Sequence, residues 1–208
     1  MHDFNYQKAG SVADAVSALK AADDGKVMAG GMTLLPTMKQ RLAAPSNVID
    51  LGGISGLDGV SVSGGVAVGA VAPHAAGAGS STVKGALSAL ADLAEGIGDP
   101  QVRNRGTIGG SVANNDPAAD YPAACLALGA TIKTDRREIS ADDFFQGLFE
   151  TALEEDEIIT SVSFPAAEKS AYVKFPNPAS RYALVGVFVA KKASGVRVAV
   201  TGAGDEGV

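Results

Sequence analysis

The sequence predicts an α+β protein of two lobes, one small and parallel, the other larger and mixed or antiparallel, with the opening strands of a further α+β unit. Three observations predict it. Strand, helix and strand patterns succeed one another within residues 26–51, a βαβ unit whose strands must run parallel. Val60, Val62, Val66 and Val68 alternate on either side of Gly64-Gly65, the pattern of a β-hairpin. Residues 171–200 read as three antiparallel strands.

In chain order, Ser11 and Asp14 make a capping-box-like start, and Val12, Val16 and Leu19 recur at helical spacing, so a helix is expected over 12–22, closed by Gly25. A strand over 26–29 is broken by Gly30-Gly31. Leu34, Leu35, Met38 and Leu42 then recur helically, with Pro36 tolerated in the first turn. The next strand is 47–51. After the hairpin, Val83, Leu87, Leu90 and Leu93 form one stripe of a helix over 82–94, preceded by a small-residue tract over 75–81. Residues 96–120 are a long polar stretch of Gly, Asn, Asp and Pro. A short helix over 121–128 ends at Gly129, and strands follow near 130–134 and 158–164. The expected units are residues 1–55, 56–165 and 166–208.

With 208 residues and 46% hydrophobic content the chain has ample material for a packed core. Seventeen Lys and Arg against 23 Asp and Glu give a net charge of −6 without a basic cluster, which argues against a nucleic-acid partner. The first ten residues have no apolar core and no apolar run reaches membrane length, so neither a signal peptide nor a transmembrane segment is expected. Cys125 is the only cysteine, unable to close an internal disulfide or hold an iron–sulfur cluster, and a reducing cytoplasm fits it. His2 and His74 share no zinc-binding spacing, so no metal site is expected. Redox chemistry here requires an organic cofactor.

Two segments suit such a cofactor. Ala29-Gly30-Gly31-Met32-Thr33-Leu34 stands where a strand ends and a helix begins; paired glycines bring bare N–H groups against a ligand, and the helix end beyond adds a positive dipole. One double glycine is more often a plain tight connection. A second, in Thr107-Ile108-Gly109-Gly110-Ser111, raises the ligand reading, since two turns on separate lobes are able to grip both halves of a pyrophosphate. Asn114, Asn115, Asp116 and Asp120 add acceptors beyond it, with an Asx-turn or cap as the alternative, above all for Asp116 before Pro117. GxGxxG and GxxxxGK(S/T) are both absent. Arg103 and Arg105 flank the second segment with a salt-bridge role slightly favoured. His74 reads as packing or capping, Ser80-Ser81 lacks a nucleophile elbow, and the acids 154–157 read as a solvated turn.

These residues resemble the FAD-binding medium subunits of carbon monoxide dehydrogenase and related xanthine dehydrogenase-type molybdenum hydroxylases. The match lies in Ala29-Gly-Gly-Met-Thr-Leu-Leu-Pro-Thr-Met-Lys-Gln-Arg-Leu42 and Ile97-Gly-Asp-Pro-Gln-Val-Arg-Asn-Arg-Gly-Thr-Ile-Gly-Gly-Ser-Val-Ala-Asn-Asn-Asp-Pro-Ala-Ala-Asp-Tyr-Pro122, and the likeness runs over essentially the whole chain. It implies a PCMH-type FAD-binding fold in which both double-glycine segments hold the pyrophosphate. It implies that Asp120 stands near the ribose and adenine end, that Ile97 lines the flavin pocket, and that Ile158 and Ile159 cover one side of the ring system. Lys174 and Tyr182 fall where relatives approach the flavin. No residue is assigned a catalytic role.

The implied partners are an iron–sulfur subunit with two 2Fe–2S clusters, a large molybdenum-cofactor subunit and an external electron acceptor. Members of the family continue several tens of residues past the point matching Val208, so the sequence reads as part of a longer protein. Two other functions remain open at this stage: an assembly or partner protein that kept the fold without flavin, and a free-standing flavin oxidoreductase.

Overall fold

The computed structural model describes residues 1–204. The first lobe runs β1 (Asn5–Lys8), α1 (Val12–Ala21), β2 (Gly25–Met28), α2 (Leu34–Lys39) and β3 (Asn47–Asp50), with strands ordered β1-β3-β2 and all parallel. Ser11 caps α1, its hydroxyl accepting from the Asp14 N–H at 3.1 Å, and the helix buries Ala15 and Leu19 against Ile49, Leu51 and Ile54. Strand β1 was not expected. Its four residues are all exposed, so no apolar alternation marked it, and its backbone pairing with β3 holds it in place.

The second lobe begins with the hairpin β4 (Val60–Val62) and β5 (Gly65–Gly69), then packs six helices: α3 (His74–Gly79), α4 (Ser81–Ala86), α5 (Ser88–Glu95), α6 (Pro100–Arg103), α7 (Ile108–Asn114) and α8 (Tyr121–Leu128). It closes with β6 (Thr131–Thr134), β7 (Glu138–Ser140), α9 (Ala141–Phe144), the pair β8 (Phe145–Gly147) and β9 (Glu150–Thr151), and β10 (Ile159–Pro165). The main sheet is antiparallel throughout in the order β4-β5-β10-β6-β7.

Three departures from the sequence reading have local causes. The helix expected over 82–94 is two helices, because the buried Leu87 adopts φ −146°, ψ 77° between them. The small-residue tract is helix α3, where a Cβ on Gly77 would stand 4.0 Å from Ala94 Cβ, so small side chains allow a close helix pair. The polar stretch 96–120 contains α6 and α7, each capped by a side chain, Asp99 at 2.8 Å from the Val102 N–H and Thr107 at 3.2 Å from the Gly110 N–H. Helix α8 matches its expected span and ends at Gly129 in the left-handed region, φ 59°.

A third sheet, β11 (Lys169–Pro176), β12 (Ala183–Lys192) and β13 (Gly195–Thr201), is antiparallel, as read. Its inner face places Phe188, Ala190 and Ala199 in the core of the second lobe, while Val173, Phe175, Val196 and Val198 lie exposed on the outer face. The sheet also grips the polar stretch: the Thr201 hydroxyl donates to the Ala119 carbonyl at 2.6 Å, and the Gly202 N–H to the Pro117 carbonyl at 2.8 Å.

Candidate functional site

A cleft of about 640 Å³ runs between the lobes, lined by residues 26–34 of the first, by 106–120 of the second, and by a wall over 151–159. At its floor the lobes touch backbone to backbone. A Cβ on Gly30 would overlap the Arg105 carbonyl oxygen and stand 2.6 Å from its carbon and 3.0 Å from Gly106 Cα. Glycine is therefore required here by the approach of the two glycine segments to each other. Gly31, at φ 74°, turns the chain into α2. Leu35 N–H bonds the Gly31 carbonyl at 3.1 Å and Thr37 N–H the Thr33 carbonyl at 3.2 Å, whereas among the described residues no acceptor takes the N–H groups of Met32, Thr33 or Leu34. These are bare donors on the lining of the cleft.

The second segment works differently. It is the start of α7 rather than a turn, and four of its five N–H groups are already used: Ile108 on the Ala72 carbonyl at 3.4 Å, Gly109 on Ala70 at 2.9 Å, Gly110 on the Thr107 hydroxyl and Ser111 on the Thr107 carbonyl at 3.0 Å. Gly109 is small because α7 crosses β5 closely; its Cβ would stand 2.6 Å from the Ala70 oxygen and Cβ. What this segment offers the cleft is side-chain hydroxyls, Thr107 and Ser111, and the start of a short helix.

Of the residues that the resemblance assigns to the cofactor, all but Ile108 and Lys174 line this one cleft, whereas Asn115, Arg103 and Arg105 do not. Ile108 is 1% exposed in the core. Lys174, 9% exposed at its side chain, turns to Asp120 at 2.9 Å and to the Gly96 carbonyl at 3.1 Å. Asp120 is 5% exposed and also accepts from the Tyr172 hydroxyl. Burial pushes the Asp120 carboxyl up, and Lys174 and Tyr172 oppose that shift. Asp120 is thus both cleft lining and the anchor of β11. Ile97 and Tyr182 stand on the lining, Tyr182 half-exposed, and Ile158 and Ile159 are buried side by side in the wall.

The Arg103 guanidinium donates to the Ile97 and Gly98 carbonyls at 3.1 Å each and lies 3.7 Å from Glu95, so it shapes the loop before α6. Asp116 makes the Asx-turn, accepting from Ala118 N–H at 2.9 Å. Asn115 does not line the cleft: at φ 42° and fully buried, its amide Nδ2 donates at 2.8 Å to the Gly147 and Glu150 carbonyls and pins the β8–β9 hairpin, while its Oδ1 has no partner among the described residues. The acids 154–157 are a turn with Glu154 and Glu155 exposed, as read, but Glu157 is buried against Arg137 at 2.7 Å and Asp156 pairs with Arg136 at 2.9 Å. Phe149, at φ 56° on the hairpin tip, and Thr151 also line the cleft; no periodicity or motif marked either.

His74 packs at the start of α3, its N–H on the Gly106 carbonyl at 2.9 Å and its ring 5.4 Å from that of Tyr121. Burial, aided by Arg103, lowers its pKa from 6.5 to about 4. The folded value lies below the unfolded one, so the stability tied to neutral His74 is complete above pH 6.5 and is lost as pH falls from there toward about 4. A His74→Gln variant is expected to lose less melting temperature than the parent between about pH 7 and about pH 4.5. Parallel melting curves for the two proteins across that range would contradict the assignment.

Among the described residues no group of three or more His, Cys, Asp or Glu is placed to hold a metal ion, and no helix is long and apolar enough to cross a membrane. Residues 2–167 match the family model described as the FAD binding domain in molybdopterin dehydrogenase. The chain is 40% identical to the nicotine 6-hydroxylase medium subunit of Paenarthrobacter nicotinovorans, over 95% of this chain and 74% of that one. It is 38% identical to the carbon monoxide dehydrogenase medium chain of Hydrogenophaga pseudoflava, again over 95% and 74%. Among solved structures it is similar to carbon monoxide dehydrogenase from Hydrogenophaga pseudoflava, with TM-score 0.90, 38% identity, and 95% and 74% of the two chains covered. It is also similar to quinoline 2-oxidoreductase from Pseudomonas putida 86, with TM-score 0.92, 30% identity, and 98% and 75% covered.

Proposed function

The chain belongs to the family of FAD-binding domains in molybdopterin dehydrogenases, and from that premise we propose that it is the electron-transfer flavin subunit of a molybdenum hydroxylase-type oxidoreductase. The observation that carries this reading is the cleft on which the bare N–H groups of the first glycine segment and the hydroxyls of the second converge. Its volume falls within the roughly 300–1,000 Å³ of small-molecule sites. The donor set fits FAD: the N–H groups of Met32, Thr33 and Leu34 and the hydroxyls of Thr33, Thr107 and Ser111 suit a pyrophosphate, and the apolar Ile97, Ile158 and Ile159 suit a planar ring system.

Bound FAD supplies the ability to take up two electrons and pass them on. The chain's own residues bind it, orient it and exclude water from one side of it. Its described residues include no metal-ligand set, and Cys125, buried in α8 with its thiol pKa pushed up by burial, is no nucleophile. Oxidation of the organic substrate is therefore assigned to a partner. Relatives are named medium subunits or medium chains, which supports a multi-subunit complex. The proposed partners are an iron–sulfur subunit and a large molybdenum-cofactor subunit, with an external acceptor receiving the electrons.

Two outcomes test this. One FAD per chain is expected, released into the supernatant when acid precipitates the protein; colourless protein that refuses added FAD favours a flavin-free assembly role, and flavin retained in the pellet means a covalent link. Dithionite is expected to bleach the bound flavin, whereas aldehydes, purines and carbon monoxide bleach it only with partner subunits present. Bleaching by any of those substrates without partners makes the protein a self-sufficient flavoenzyme.

A further inference from the structure

We propose that the turn Asp135-Arg136-Arg137 between β6 and β7 is a positioning device that fixes the cleft wall over residues 151–159 against bound FAD. The inference rests on the FAD reading above and goes beyond it, since none of these three residues lines the cleft.

The wall has little regular structure to hold it. Between the end of β9 at Thr151 and the start of β10 at Ile159 there is no strand ladder; the Ala152 N–H on the Phe144 carbonyl at 2.8 Å holds its start, and side chains hold much of the rest. Three consecutive residues supply them. Arg137 makes a bidentate pair with Glu157, Nε to Oε1 at 2.8 Å and Nη2 to Oε2 at 2.7 Å, and Nη2 also donates to the Ala152 carbonyl at 2.7 Å. Arg136 donates to Glu154 at 2.9 Å and to both the carboxylate and the carbonyl of Asp156 at 2.9 Å. Asp135 closes the far end, its Oδ1 accepting from Ile158 N–H at 2.9 Å while its own N–H meets the Ile158 carbonyl at 2.9 Å. The Thr134 hydroxyl holds the turn itself, accepting from Arg136 N–H at 3.2 Å and Arg137 N–H at 3.0 Å.

Exposed ion pairs are worth little, but the Arg137–Glu157 pair is of another kind. The Glu157 side chain is 0% exposed, and its Oε2 also accepts from Glu154 N–H at 3.0 Å. A planar guanidinium on a buried carboxylate fixes direction as well as distance. Lys20 on α1 reaches Asp156 at 3.2 Å, so the same cluster ties the wall to the first lobe.

Two consequences reach the cofactor. Adjacent isoleucines part at the wall: Ile158 enters the core of the first lobe and Ile159 that of the second, so the segment held by the turn straddles the lobes where both residues line the cleft. The turn also pairs Glu154 and Glu157, two of the three carboxylates that the wall brings to the cleft lining, Glu155 being the third, and lessens their repulsion of a pyrophosphate.

FAD itself is the probe. Arg137→Met is expected to weaken FAD binding by about tenfold or more, and to change the visible circular dichroism and the midpoint potential of the bound flavin. Arg137→Lys is expected to restore part of each, since a lysine replaces the bidentate pair by a single contact. Should Arg137→Met fail to fold, Arg136→Met in the less buried half of the cluster reads the same quantities. A folded variant with lowered thermal stability but parental FAD affinity, dichroism and potential overturns the inference and leaves a merely structural ion cluster. Failure of the parent chain to take up FAD overturns the functional reading itself, which keeps the two failures distinct.

Discussion

Gly30→Val is expected to abolish FAD binding and to destabilise the folded chain. The added Cβ overlaps the Arg105 carbonyl oxygen and stands 3.0 Å from Gly106 Cα, and both of these are backbone, unable to swing aside as a flexible side chain would. Relief requires the lobes to separate at the floor of the cleft, with a destabilisation of about 1–3 kcal/mol or more by analogy with overpacked cores. That movement carries the N–H groups of Met32, Thr33 and Leu34 away from Thr107 and Ser111, so the two halves of the phosphate site no longer meet. Gly110→Val is a graded comparison, because its Cβ meets only the Thr107 hydroxyl at 3.0 Å. It is expected to disturb the helix cap and flavin binding with a smaller loss of stability. Flavin absorbance and denaturant unfolding of the two variants measure both effects, and full flavin content in Gly30→Val would rule out the convergence of the two segments as the basis of binding.

Asp120→Ala is expected to cost about 3–5 kcal/mol, the range for leaving one partner of a buried pair alone. Lys174, 9% exposed, would keep its charge and lose the carboxylate 2.9 Å away, and the Tyr172 hydroxyl would lose its acceptor. Because Asp120 also lines the cleft, FAD affinity is expected to fall with stability. Adding Lys174→Met should recover a large part of the stability by removing the stranded ammonium, and a double-mutant cycle in denaturant measures the coupling. Additive losses in that cycle would mean that the pair contributes nothing beyond its separate members.

How far the sequence disclosed this molecule depended on whether a residue's role was local. The βαβ unit, the hairpin and α8 were legible because Leu19, Val66 and Gly129 act through spacing and turn chemistry within their own elements. Strand β1 was not, since its four exposed residues owe their conformation to β3, forty residues on. Both glycine segments announced a ligand, yet the pattern was silent on their division of labour. Gly30 is explained by Arg105 and Gly109 by Ala70, contacts that only the folded chain creates. Lys174 was expected to approach the flavin, but it does not line the cleft, because the charge it answers is Asp120. The ion pairs of Asp156 and Glu157 were missed for the same reason, their cations lying some twenty residues upstream in a turn with no motif of its own.

The grip of the third sheet on the polar stretch has a thermodynamic consequence. Lys174, Thr201 and Gly202 hold Gly96, Asp120, Ala119 and Pro117, at the two ends of the segment that carries the second glycine pair. A ligand that binds only the closed cleft adds RT ln(1 + [L]/Kd) to the free energy of every opening that disrupts it. Openings of β11 or β13 that free Asp120 or Ala119 are such events. Amide protons of those strands should therefore exchange with solvent more slowly when FAD is bound, although neither strand lines the cleft, and strands β4 and β7 at the far edges of the second lobe's sheet should gain least.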